Sequence, residues 1–211
     1  MKKYFLYVIC AIFIVSVLSV FCIAWFHPKP LFFLPTDVPT QSNLAERSVA
    51  VAKSMLYTPY DPFMGGLHNA LGCSGFVVCI DVPVRAYVNA GVPITEILKD
   101  STKKHPEWFQ ISPQNRPDNE FFYRRVRNYY PLFKNHPDLE ASDKPQPGDW
   151  AFFGNFHIAL VSSIMPDGTY QVVEANPNWL YVRISDQKYM DKTWGRAAFF
   201  GRVKNLKALL K

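Results

Sequence analysis

An α+β domain behind an apolar N-terminal segment is what the sequence predicts, and three observations predict it. A charge-free run from Tyr4 to Phe26 follows Lys2 and Lys3. One or two amphipathic helices precede residue 92, and short strand-like runs separated by tight turns fill the chain from Trp150 onward. Helices gathered ahead of an antiparallel sheet are the α+β pattern. On this reading the 211 residues divide into 1-30, a transmembrane anchor or signal; 31-41, a linker; and 42-205, one domain long enough to bury a core.

The run from Tyr4 to Phe26 is long enough to span a bilayer as a helix, and the two lysines keep its start in the cytoplasm. No small-x-small cleavage site follows it, and Phe21 precedes Cys22 where a lipoprotein signal requires a small residue. The expectation is therefore an uncleaved single-pass anchor in the inner membrane, with the domain facing the periplasm or exterior. Pro28, Pro30, Pro35 and Pro39 then exclude a regular helix and suit an extended tether.

Asn43 with Glu46 forms a capping box, and Leu44, Ser48, Val51, Ala52 and Met55 share one helical face, which predicts a core-packing helix. Tyr57 to Gly66 reads as a turn-rich loop. The stretch Gly72 to Val92 places a cysteine ahead of an amphipathic helix closed by Gly91, and a helix N-terminus favours thiolate over thiol. Between Val92 and Lys144 the chain reads as polar and irregular. Strand-like runs follow at 150–154, 157–164, 169–175 and 180–185, with a hairpin turn at Asp167-Gly168 and a last strand in AAFFGRV.

The formal charge of +6 comes from scattered basic residues without a nucleic-acid motif, which argues against nucleic acid and for an anionic partner. Arg124, Arg125 and Arg127 are the densest basic group, and either an anionic substrate or solvent accounts for them. Of the four cysteines, Cys10 and Cys22 lie in the apolar run, leaving Cys73 and Cys79 for chemistry. A nucleophilic cysteine needs a base, and the base needs an orienting group. His157 opens an apolar strand and is the best base. Glu174 and Asn176, two apart on the partner strand of the hairpin, share a face and can orient it. Two non-catalytic arrangements compete: a Cys73-Cys79 disulfide in an envelope module, and a zinc site from His68, Cys73, Cys79 and His157. The zinc spacing matches no usual ligand pattern, so no metal or other cofactor is expected.

Pro147-Gly148-Asp149-Trp150-Ala151-Phe152-Phe153 followed by His157-Ile158-Ala159-Leu160-Val161 resembles the proline-glycine-aspartate strand and histidine strand of the NlpC-type cell-wall cysteine peptidases. Pro59-Tyr60 with Gly65-Gly66 is similar to that family's substrate-facing tyrosine loop. Cys79-Ile80-Asp81 with Glu174-x-Asn176 looks more like the related CHAP domains, which use Cys, His, Glu and Asn. The stretch from Cys79 to Tyr87, with PDNEFFYRRVRN, also resembles a branch of bacterial envelope proteins in the same superfamily. The resemblance covers about residues 57 to 92 and 145 to 200, and the segment 93 to 144 is longer than in compact members. It implies a papain-like fold and hydrolysis of peptide amides in peptidoglycan, with acyl transfer or lipid and thioester hydrolysis as alternatives on the same fold.

The family's literal string, Cys-Ser-Gly-Phe-Val, falls on Cys73. The nucleophile of that family opens a helix of about three turns, however, and counting back from Ala90-Gly91 at 3.6 residues per turn reaches Cys79. A helix begun at Cys73 would also bury Pro83 in its interior at a cost of about 3 kcal/mol. One begun at Cys79 to Asp81 places Pro83 in or next to the first turn, where the penalty is small. On this reading Cys79, His157, Glu174 and Asn176 are catalytic, and Tyr60, Asp81, Arg124 and Arg125 contact substrate. His157 would hold Cys79 as a thiolate, and the Cys79 N–H would stabilise the oxyanion.

Overall fold

The computed structural model describes residues 2–26, 43–65 and 75–209. The expected tether at 31-41, His68 and Cys73 lie outside the described residues. Helix α1, Lys2–Phe26, is a single 25-residue helix. Its side chains are described from 7 to 19, where Tyr7, Phe13 and Val15 are among the exposed apolar groups. Within the residues whose side chains are described, which in α1 are 7–19, no helix is long and apolar enough to cross a membrane.

Helix α2, Leu44–Ser54, starts as its cap predicts: Asn43 Oδ1 accepts the Glu46 N–H at 2.9 Å. Its buried stripe of Ser48, Val51 and Ala52, continued by Met55, is the face read from the sequence. Helix α3, Asp81–Asn89, begins where Pro83 requires. Pro83 is its third residue, and first-turn N–H groups have no intrahelical acceptor, so the missing donor costs little there. The far end closes in a Schellman arrangement. Val92 N–H reaches Tyr87 O at 2.8 Å and Gly91 N–H reaches Val88 O at 3.1 Å. Gly91 stands at φ +95°, which a side chain would oppose.

The reading of 93–144 as irregular is corrected. It contains α4, Ile94–Lys104, and α5, Val126–Asn135, with 3₁₀ turns at Pro106–Trp108 and Glu120–Arg124. In α4 the buried stripe is Ile94, Ile97, Leu98, Ser101 and Thr102. Its helical period is intact, but two of its members are hydroxyl residues, and Thr102 satisfies itself on Leu98 O at 2.8 Å. In α5 the obstacle to recognition is Pro131 inside the helix. Burial of Val126, Tyr129, Leu132 and Phe133 on one face offsets the roughly 3 kcal/mol that an interior proline costs.

The strands form one antiparallel six-stranded sheet in the order β1-β6-β2-β3-β4-β5. They are β1, Leu139–Ser142; β2, Trp150–Phe153; β3, His157–Ile164; β4, Tyr170–Asn176; β5, Tyr181–Asp186; and β6, Phe199–Val203. Five of these lie where the sequence placed them; the edge strand β1 and helix α6, Gln187–Trp194, are additions. A short helix α7, Leu206–Leu209, ends the described chain.

Both faces of the sheet are covered, so β2 and the start of β3 read as unbroken apolar runs rather than alternating ones. Trp150, Phe152, Ile158, Leu160, Val173 and Ala175 join the core shared with α2, α3, α4 and α5. Ala151, Phe153, Ala159, Val161 and Val172 face the other way, onto Met190 of α6. The Pro147-Gly148-Asp149 turn fastens the sheet to the helices. Gly148 N–H reaches Val161 O at 2.8 Å, and Gly148 O accepts from the Tyr87 hydroxyl at 3.1 Å. At Gly148, φ is +89° and an added Cβ would come within 2.8 Å of the Ala45 Cα. Only glycine fits this approach of turn to α2.

Candidate functional site

β3 and β4 pair from Ile164↔Tyr170 to Leu160↔Val173, and the ladder ends there, short of His157. At this end of β3 the start of α3 approaches the sheet. The Cys79 sulfur takes hydrogen bonds from the backbone of Ile158 and of Ile80. Cys79 thus sits on the residue that follows His157, and both line one cleft of about 420 Å³ with Tyr60, Met64, Phe156 and Trp194. Cys79 is a free thiol, which argues against the disulfide alternative. No group of metal-binding side chains occurs among the described residues.

Glu174 orients the histidine as the strand register allows. His157 Nε2 lies 3.0 Å from Glu174 Oε2, leaving Nδ1 as the ring nitrogen not engaged by the carboxylate. Glu174 Oε1 accepts from Asn176 Nδ2 at 2.9 Å and from the Ser185 hydroxyl at 2.6 Å. Asn176 Nδ2 also reaches the Tyr189 hydroxyl at 3.0 Å, and Trp179 Nε1 donates to that same oxygen at 2.8 Å. The Trp194 indole stacks on the imidazole, with centroids 3.9 Å apart and planes 12° apart. Asn176 therefore supports the carboxylate rather than the ring.

Ser185, Tyr189 and Trp194 were not read from the sequence. Ser185 sits on the next strand, and the other two on a helix packed under the sheet; no spacing rule links them to His157.

Electrostatics correct one expectation. Burial and the Asp81 charge push the Cys79 thiol up to about 12, against the backbone hydrogen bonds that favour its ionisation. Burial likewise holds His157 below its ordinary value, although Glu174 pulls the other way. Burial works to raise the Glu174 pKa, but the donors His157, Ser185 and Asn176 hold it below the ordinary carboxylate range. Both shifts favour a neutral thiol and a neutral imidazole over a preformed ion pair. The helix-terminus argument fails because Asp81, in the first turn of α3, opposes the dipole and the cleft desolvates the sulfur.

Alkylation of Cys79 by iodoacetamide is accordingly expected to be slow at pH 7 and to quicken about tenfold per unit, with no plateau below pH 9. A pH–rate profile read by peptide mass spectrometry checks this; a plateau by pH 7 would show a thiolate.

The remaining predicted residues divide by occupation. Tyr60 is buried, its hydroxyl 3.4 Å from Met64 Sδ, and its backbone is fixed by Tyr60 N–H to Leu180 O at 2.8 Å. It faces the cleft, and burial followed by the Cys79 charge raises its pKa.

Asp81 is committed to the protein rather than available to a substrate. Its oxygens accept from Val78 N–H at 2.8 Å, from Arg124 Nε at 2.9 Å and from Arg124 Nη2. Arg124 holds Asp81 below the ordinary carboxylate range despite burial. Arg124 also donates from Nη1 to Gly65 O at 3.1 Å, so it ties the 3₁₀ turn before α5 to the loop at Gly65 as well as, through Asp81, to the start of α3. Arg125 donates from Nη1 to Gln114 O and, at 3.0 Å, to Asn115 Oδ1. Arg124, Arg125 and Arg127 all line the cleft.

Residues 64–187, more than half of the chain, match the family model described as a domain of unknown function, DUF1287. Comparison with curated proteins returns no match.

Proposed function

The chain belongs to the DUF1287 family, and from the arrangement around Cys79 we propose that it is a cysteine hydrolase cleaving peptide amides of peptidoglycan. The observation that carries the reading is the free Cys79 thiol in one cleft with His157, whose Nε2 is fixed by a buried Glu174. A cysteine before a helix, a histidine opening a strand and a carboxylate on the next strand support the papain-like NlpC and CHAP architecture. The proposal includes α1 as a single-pass anchor, with the domain in the periplasm or outside the cell; the charge-free run Tyr4 to Phe26 supports it.

In this mechanism substrate binding brings the amide carbonyl to sulfur. His157 Nδ1 takes the thiol proton as sulfur attacks, and Glu174 stabilises the imidazolium that forms. The Cys79 N–H carries the oxyanion. His157 then protonates the leaving amine, and water, deprotonated by the same ring, releases the acyl group.

The test is release of peptide fragments from purified sacculi. The full-length protein should release new amine termini and Cys79→Ala should release none; equal release by both overturns the proposal.

A further inference from the structure

Arg124, Arg125 and Arg127 line the Cys79 cleft, and among the described residues no Asp or Glu does. Arg124 is balanced by Asp81. Arg125 spends its hydrogen bonds on neutral oxygens of Gln114 and Asn115, which leave its charge uncompensated. Arg127 is exposed. Among the described residues, neither Arg125 nor Arg127 has a carboxylate partner. The two charges also repel: burial first, and then Arg127, lowers the pKa of Arg125. Glu174, the nearest carboxylate of the catalytic network, is fully buried behind His157 and occupied by three donors.

Two like charges held on one wall of a partly desolvated cleft are unfavourable for the empty protein and favourable once an anion enters. They come from the segment between α3 and the sheet, and Arg124 clamps that segment to the first turn of α3. The backbone that carries the two charges is therefore fixed relative to the thiol.

We propose that Arg127, with Arg125 beside it, binds a carboxylate that the substrate carries next to the amide attacked by Cys79, making the site selective for anionic peptides. The identification of that amide rests on the hydrolase reading; the anion preference does not. A guanidinium presents paired donors that match a planar carboxylate, which a carboxamide matches poorly because it offers one acceptor and an opposing N–H₂.

The experiment uses two peptides of cell-wall stem sequence that differ only in a free α-carboxylate or its carboxamide beside the scissile bond. Calorimetry on full-length Cys79→Ala measures binding without turnover. The carboxylate peptide should bind about 10- to 100-fold more tightly. Adding Arg127→Gln should remove most of that ratio, and Arg127→Lys should retain part of it. Equal binding of the two peptides, or a preference that survives Arg127→Gln, overturns the proposal. A binding preference without cleavage of either peptide by the unmodified protein supports the anion site and counts against the hydrolase reading instead.

Discussion

His157→Ala is expected to lower kcat on a cleavable peptide by about 10⁴-fold, the upper end of what a positioned general base contributes. The size follows from the thiol. With Cys79 pushed up to about 12, only about one sulfur in 10⁵ is ionised at pH 7 without help. A preformed thiolate would need its histidine mainly for the leaving group; this sulfur also needs it to lose its proton. The variant's residual rate should therefore climb about tenfold per pH unit above neutrality as hydroxide replaces the base, while the unmodified protein stays nearly flat. Steady-state rates from pH 6 to 10 check both points. A variant within tenfold of the parent would show that His157 is not the base.

Arg124→Ala is expected to destabilise the fold by about 3–5 kcal/mol, the usual cost of leaving one member of a buried ion pair uncompensated. The two side chains are only 11% and 8% exposed, and among the described residues Asp81 would keep the Val78 N–H as donor and the favourable charge of Arg85. The sign with pH follows from the direction of the Asp81 shift. Its folded-state pKa is depressed, so the pair's contribution is full above the unfolded value near 4 and is lost as pH falls through the folded one. The gap between the two proteins should accordingly narrow under acid. Urea denaturation at pH 7 and pH 3 reads it; a gap below 1 kcal/mol at pH 7 would mean that water already screens the pair. Arg124→Ala with Asp81→Asn should recover part of the loss, because the charge is removed with its partner.

Much of the site was legible because local chemistry marks it. Pro83 and Gly91 bound α3 from both ends, which put the cysteine before the helix at Cys79 whatever the neighbouring string suggested. The Asp167-Gly168 turn fixed the hairpin, and with it the placement of Glu174 and Asn176 on the strand beside His157. The strands were readable as short apolar runs between turn residues: burial on both faces removes the period-two alternation, and it is the shortness of the runs and the Gly, Asp and Pro residues flanking them that mark strands.

Helices α4 and α5 were hidden for opposite reasons. In α4, Ser101 and Thr102 stand at buried positions and blur the stripe. In α5, Pro131 breaks a rule that packing of Tyr129, Leu132 and Phe133 overrides.

By itself, then, the sequence determined where α2, α3 and five of the strands lie and which side chains share a strand face, because caps, prolines and turn residues act over a few residues. Only the tertiary structure decided the protonation of the thiol, the commitment of Asp81 to Arg124, and the support of Glu174 by Ser185. Desolvation and ion pairing depend on what packs around a group from distant parts of the chain. No local spacing between Asp81 and Arg124, or between Glu174 and Ser185, encodes that they meet.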